Sequence, residues 1–316
     1  MFIQIIILLV GLALILFGAN FLVDGSSNIA RKFGISEFII GLTIVGIGTS
    51  TPEMVVSFIS SFQGKADMAI GNVVGSNIFN TLLILGTTAL ISPLAITKSN
   101  IKRDIPMNIA VCVILILLGL KKTIFNIGSD SIGRIDGLFL LLLFAWYLYK
   151  TFKANEPVEE DDSPMRPMWL ATLMIVGGLL GLVAGGRLFV SSASAIASMC
   201  GVSDKFIAIT VMAGGTSMPE LATCIVAAFK GKGQLALGNI LGSNISNILL
   251  ILGGASLIRP LSFSGMTPVD LGVLVISALF LVLSYVMFIK KSLDRTEGAI
   301  LLLIEAGYMW YLIANL

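Results

Sequence analysis

Apolar residues run along this chain in blocks of about twenty, not in the short alternations of a strand or the one-sided stripes of a water-soluble helix. A helix that crosses the hydrocarbon core of a bilayer needs about 20 such residues. Ten segments qualify: residues 2–28, 36–62, 68–92, 104–120, 131–151, 167–198, 204–229, 234–258, 267–289 and 296–315. The pattern predicts an all-α integral membrane protein with ten transmembrane helices and no sizeable soluble domain. The first block has no basic leader, and its apolar stretch is too long for a signal peptide core, so it reads as a span. The longest polar break is the stretch 153–166. It carries Glu156, Glu159, Glu160, Asp161 and Asp162 and reads as a solvated hinge between two halves, 1–152 and 167–316. A cation-sensing role is its alternative reading.

Composition narrows the chemistry. Of 316 residues, 56% are hydrophobic and 12% charged, with a mean hydropathy of +0.99. Soluble domains have about 45–50% apolar and about 25% charged residues, so a soluble globule, a disordered chain and a nucleic-acid-binding chain are excluded. A net charge of +2 calls for no polyanionic partner, and nothing points to an obligate protein partner. The absence of histidine removes the commonest general base and metal ligand. Cys112, Cys200 and Cys224 are scattered and odd in number, which fits neither a disulfide framework nor a thiolate metal site. Chemistry falls to carboxylates, amides, hydroxyls and backbone. No nucleophile–base pair suggests an enzyme, and no cofactor is expected.

Lys and Arg set the orientation. With the N-terminus outside, the inner loops carry Arg31, Lys32, Lys98, Lys102, Arg103, Lys150, Lys153, Arg166, Lys230, Lys232, Lys290, Lys291 and Arg295. The outer loops carry Lys65, Lys121, Lys122, Arg134, Lys205 and Arg259. The asymmetry places both termini outside and the 153–166 linker inside a cell membrane.

The chain contains itself twice. Residues 41–80 align without a gap on residues 208–247 at an offset of 167, with 17 of 40 positions identical. The register also extends back through Gly11, Gly18 and Gly34 to Gly178, Gly185 and Gly201. The offset spans five predicted helices. Five is odd, so the second copy enters the membrane from the opposite side. Two inverted-topology five-helix repeats are the architecture of alternating-access transporters, whose sites lie near the midplane at the repeat interface. A repeat kept for packing alone would preserve apolar and small positions; the identities here are largely polar or helix-breaking.

Two motifs carry the polar identities. The first is Gly48-Thr49-Ser50-x-Pro52-Glu53, repeated as Gly215-Thr216-Ser217-x-Pro219-Glu220. A carboxylate in mid-span suggests a functional site. The proline lacks an N–H and crowds the carbonyl one turn back, so the Gly48 and Gly215 carbonyls lose their donor. Thr49 and Glu53 then share a helical face with Gly46, as Thr216 and Glu220 do with Ala213. The second motif, Gly71-Asn72-x-x-Gly75-Ser76-Asn77-Ile78-x-Asn80, recurs as Gly238-Asn239-x-x-Gly242-Ser243-Asn244-Ile245-x-Asn247. Its glycines permit close helix approach. Asn72, Asn77, Asn239 and Asn244 are expected to hydrogen-bond between helices, while Ser76, Asn80, Ser243 and Asn247 are positioned to ligate.

Such oxygen-only surroundings suit hard cations; calcium takes 6–8 oxygens in flexible geometry. Two buried glutamates facing each other cannot both stay ionised without compensation. One divalent cation compensates them, and so do two sodium ions or two protons. Mutually exclusive occupancy of one carboxylate pair is itself an exchange mechanism.

At these residues the chain resembles the cation/calcium antiporter superfamily, especially its small prokaryotic sodium/calcium exchangers. GTSTPE (48–53) with GNVVGSNIFN, and GTSMPE (215–220) with GNILGSNISN, look like that family's two alpha-repeats. The resemblance implies a core of spans 2, 3, 7 and 8, with spans 1 and 6 sliding across it. It implies a calcium site of Glu53, Glu220 and the carbonyls of Thr49 and Thr216. One flanking sodium site would use Gly46, Thr49, Ser50, Glu53 and Ser76; the other would use Ala213, Thr216, Ser217, Glu220 and Ser243, with Asn80 and Asn247 completing the centre. Many members place an aspartate where this chain has Asn247. In the potassium-dependent branch that acid is associated with potassium, so its absence argues for potassium independence. The linker is also too short for the calcium-sensing domains of animal exchangers.

The leading reading is a sodium/calcium antiporter extruding calcium; proton/calcium exchange stands behind it, and a cation channel further back. Outside the motifs, Asp24 is expected to face Arg31 or Lys32, Arg187 to snorkel, and Glu305 to serve a helix-packing hydrogen bond.

Overall fold

A computed structural model describes residues 1–154, 165–201, 214–288 and 292–315, with side chains of the third stretch described through 285. Ala213, Lys205, Lys290, Lys291 and the linker acids lie outside the described residues.

The helices are α1 (Phe2–Phe33), α2 (Glu37–Thr49), α3 (Thr51–Phe62), α4 (Ala66–Ile91), α5 (Ile105–Gly119), α6 (Lys121–Phe125), α7 (Arg134–Lys153), α8 (Met168–Met199), α9 (Met218–Phe229), α10 (Gly233–Ile258), α11 (Pro268–Phe288) and α12 (Arg295–Ala314). Seven of them are long and apolar enough to cross a bilayer, and the pair α2–α3, bent by 46°, makes an eighth. Of the ten predicted segments, 104–120 appears as the 15-residue α5 behind a π-turn over Asn100–Asp104. The segment 204–229 is described only from residue 214, where α9 contributes 12 residues.

Local chemistry sets the ends. Gly34, at φ 62°, closes α1 in the left-handed conformation, and Ser36 caps α2 by accepting from the Ile39 N–H. Asp294 and Glu297 form a reciprocal cap on α12.

The inversion is visible in the contacts. α1 packs along α8. A Cβ added to Gly11 would lie 2.9 Å from the Gly185 carbonyl oxygen, and one on Gly18 would lie 2.8 Å from that of Gly178. Gly178 is the repeat mate of Gly11, and Gly185 that of Gly18. Each glycine thus meets the mate of the other, which two helices satisfy only by crossing antiparallel about a local twofold axis. The last helix of each half obeys the same axis. Gly86 lies against Gly298 and Gly253 against Gly137, while Arg295 Nε donates to Leu90 O at 3.1 Å and Arg134 Nε to Leu257 O at 3.2 Å.

Two short antiparallel ribbons repeat this relation. Leu94–Ala95 pairs with Ser292–Leu293, and Leu261–Ser262 with Ser131–Ile132. Tyr147 donates to Asp104 at 2.9 Å, and its mate Tyr308 to Asp270 at 2.7 Å. The offset is still 167 at Leu94 and Leu261, 166 at Asp104 and Asp270, and 161 at Ser131 and Ser292 and at the tyrosines, so six residues are lost in the second half between its third and fifth helices. The protein is an all-α membrane protein of two inverted repeats.

Candidate ion-binding site

The site forms where α2–α3 of the first half meets α9 of the second, closed from behind by α4 and α10. Pro52 falls in the first turn of α3, where its missing N–H is tolerated. The helix breaks at Ser50 (φ −77°, ψ 9°), and Ser217 breaks before α9 in the same way (φ −89°, ψ 9°). The sequence suggested one continuous helical face; the break instead puts Glu53 and Glu220 each in the first turn of a new helix, where the dipole favours a carboxylate. The freed Gly48 carbonyl is taken by the Thr51 hydroxyl at 2.7 Å.

Glu53 and Glu220 are fully buried. Each is held by serines of both halves. Glu53 Oε1 accepts from Ser217 Oγ at 3.0 Å and Ser76 Oγ at 3.3 Å; Glu220 Oε1 accepts from Ser50 Oγ at 2.8 Å, with Ser243 Oγ 3.4 Å away. Every one of these bonds has its symmetry mate. Ser243 Oγ also reaches the Gly46 carbonyl at 3.1 Å, which brings Gly46 to the same place. Gly238 and Gly242 allow this, because α2 passes so close to α10 at Phe38 and Leu42 that no Cβ fits.

An amide layer lies behind the carboxylates. Asn80 Nδ2 donates to Asn244 Oδ1 at 3.1 Å and Asn247 Nδ2 to Asn77 Oδ1 at 3.0 Å. Asn77 Nδ2 donates to the Asn244 carbonyl at 3.0 Å. Asn80 and Asn247 each open a π-turn, Asn80–Ile84 and Asn247–Leu252, a widening of the helix that recurs at functional sites. Asn72 and Asn239 bond within the helix framework instead. Asn72 donates to Glu53 O at 3.2 Å and Ser57 Oγ at 3.0 Å; Asn239 donates to Cys224 Sγ at 3.2 Å and accepts from Thr49 Oγ1 at 3.1 Å.

The amide nitrogens of Asn80 and Asn247 are thereby engaged, and their oxygens are left over. Glu53 Oε2, Glu220 Oε2, Asn80 Oδ1, Asn247 Oδ1 and Thr216 Oγ1 are all buried without a hydrogen-bond partner in the protein. Buried oxygens in this state cost about 1–3 kcal/mol each, and cations relieve that cost.

Of three outer charges, Asp24 and Glu305 differ from expectation. Asp24 pairs with Lys230 at 2.6 Å, not with Arg31 or Lys32. Arg187 is exposed. Glu305 is buried in α12, and its Oε2 has no hydrogen-bond partner. The symmetric Tyr–Asp pairs carry no signal in the repeated motifs; they match only once the offset drifts to 166 at the aspartates and 161 at the tyrosines.

Fold and oxygen cage together define a secondary transporter of the inverted-repeat kind, with its cation chemistry at the repeat interface. The family model described as sodium/calcium exchanger protein matches residues 3–153 and again 170–314. The chain belongs to that family, which makes it a cation/calcium antiporter and not an enzyme. It is 40% identical to the protein CaxA of Alkalimonas amylolytica over all of both chains. It is 31% identical to the sodium/calcium exchanger MaX1 of Methanosarcina acetivorans, covering 96% of this chain and 97% of that protein. Among solved structures it matches the sodium-calcium exchanger NCX_Mj soaked with Na+ and Sr2+, with a TM-score of 0.82, 34% identity, and coverage of 98% of this chain and 97% of that one.

Proposed function

We propose that this antiporter exchanges sodium for calcium, running on an inward sodium gradient to extrude calcium from the cell. The observation that carries the reading is the set of five unpartnered buried oxygens on Glu53, Glu220, Asn80, Asn247 and Thr216. All are hard ligands, two carry charge, and none is a nitrogen or sulfur donor, which favours calcium and sodium over softer metals.

Calcium takes the centre, between the Glu53 and Glu220 carboxylates and the Thr49 and Thr216 carbonyls, with Asn80 and Asn247 behind. Sodium takes two flanking positions: Gly46, Thr49, Ser50, Glu53 and Ser76 on one side, and Ala213, Thr216, Ser217, Glu220 and Ser243 on the other. Two carboxylates hold a charge of −2 that one calcium or two sodium ions balance, so one cargo displaces the other by electroneutrality alone. The repeats 1–152 and 167–316 act as the two units, with α1 and α8 moving across the core. The basic loops place the end of α1 on the cytoplasmic face of the cell membrane, with both termini outside.

The test is calcium uptake into proteoliposomes with sodium, potassium and proton gradients varied separately. Uptake that follows an outward sodium gradient, without potassium, is expected. Uptake that follows pH and ignores sodium would replace this reading with proton/calcium exchange.

A further inference from the structure

Among the described residues, the two halves depart from their twofold relation in burial where α1 and α8 end. Residues 22–30 of α1 are buried apart from half-buried Asp24, and this end packs on α9. Its mate, residues 189–197 of α8, is half-buried or exposed except at Ser192, and among the described residues its packing on α3 is slight. Among the described residues, packing is tight at the face where α1 ends and looser at the face where α8 ends.

The chemistry at the two faces differs as well. At the tight face Asp24 Oδ1 of α1 meets Lys230 Nζ, just past the end of α9, at 2.6 Å. Two residues on, Lys232 Nζ binds Glu37 Oε1 of α2 at 2.6 Å, which ties the α9–α10 turn to the core. The repeat mates of Asp24 and Lys230 are Ser191 and Gln63, both neutral. Of the two pairs, Glu37 and Lys232 have charged mates in Asp204 and Lys65, whereas Asp24 and Lys230 have only a hydroxyl and an amide in their place, so the Asp24–Lys230 pair is what sets the two closures apart.

We infer that Asp24 and Lys230 are positioning residues that bias the transport cycle toward the state closed at the face where α1 ends. They touch no ion. They act by holding α1 against α9, and the pair must separate, giving two hydrated charges, before that face can open. Ligand-free populations of an alternating-access protein differ by small free energies, so even a modest pair shifts them measurably. The side chains are 34% and 29% exposed, which sets the effect at no more than about five-fold.

The inference rests on the alternating-access reading, and a readout that needs no transport tests it separately. In a background carrying Cys112→Ala, Cys200→Ser and Cys224→Ser, single cysteines are placed at Ser27 of α1 and at its mate Ser194 of α8. Ser27 is 3% exposed and Ser194 half-buried. Their rates of modification by a water-soluble maleimide are followed in detergent-purified protein. Asp24→Asn or Lys230→Gln should speed labelling at position 27 by about two- to five-fold and slow it at 194. The exchanged pair Asp24→Lys with Lys230→Asp should return both rates toward the parent. Unchanged rates at 27 in both single variants, faster labelling at both positions, or no recovery in the exchanged pair would overturn the inference. Absent sodium-driven calcium uptake by the parent would instead sink the ion assignment and leave the labelling result standing.

Discussion

Ser50 of the first half donates to the carboxylate of Glu220 in the second half at 2.8 Å, and Ser217 returns the same bond to Glu53 at 3.0 Å. The two halves therefore supply each other's carboxylate partners, and neither repeat builds a complete site alone.

Removing either serine should weaken ion binding by a similar amount. A hydrogen bond to a charged group contributes about 1.5–3 kcal/mol, so Ser50→Ala and Ser217→Ala should each raise the calcium concentration for half-maximal exchange by about ten-fold or more. Calcium titrations of exchange in vesicles check this; an effect at one serine and none at the other would contradict the symmetric cage.

Glu53→Gln and Glu220→Gln should each abolish calcium exchange while leaving a monodisperse, folded protein. The amide keeps the shape and removes one of the two charges that a divalent ion needs. Isotope uptake beside size-exclusion chromatography measures both, and retained exchange in either variant would remove the pair from the centre.

Asn247→Asp adds a third ionisable group beside the pair. Protonated, it mimics the parent's neutral side chain; ionised, it leaves the centre one charge too negative for calcium alone. The variant should match the parent at low pH and diverge as pH rises. Exchange rates over a pH series test this, and parallel profiles would show that position 247 does not sense the site's charge.

The crossing of α1 and α8 leaves no room for a side chain. Gly18→Ala puts a methyl 2.8 Å from the Gly178 carbonyl oxygen, and overpacking of this kind typically costs about 1–3 kcal/mol. Thermal unfolding in detergent should drop by several degrees. Gly177→Ala, inside α8 but meeting nothing within 4 Å, is the control; alanine's better helix propensity means it should not lower the midpoint.

Much of this protein was legible before any coordinate. A membrane permits few folds, because every backbone group must bond within its own helix, so long apolar blocks announced spans directly. Repeats an odd number of spans apart announced the inversion. The polar identities among otherwise drifting apolar positions announced Glu53, Glu220 and their serines, because a carboxylate in a span is too costly to keep without use.

Other relations were invisible because they depend on partners distant in the chain. Nothing local to Asp24 names Lys230, 206 residues away, and the nearer Arg31 and Lys32 look like better partners in one dimension. The break at Ser50 was hidden in the same sense. Pro52 announces a disturbance, but whether a helix kinks or restarts depends on which groups stand ready to satisfy the freed backbone, and here the Thr51 hydroxyl does so. The solvent, the inverted duplication and the ligand types follow from composition and period alone. Which oxygen faces which, and that Asp24 meets Lys230, became visible only with the helices packed, because those relations are set by crossings that bring residues together from opposite halves of the chain.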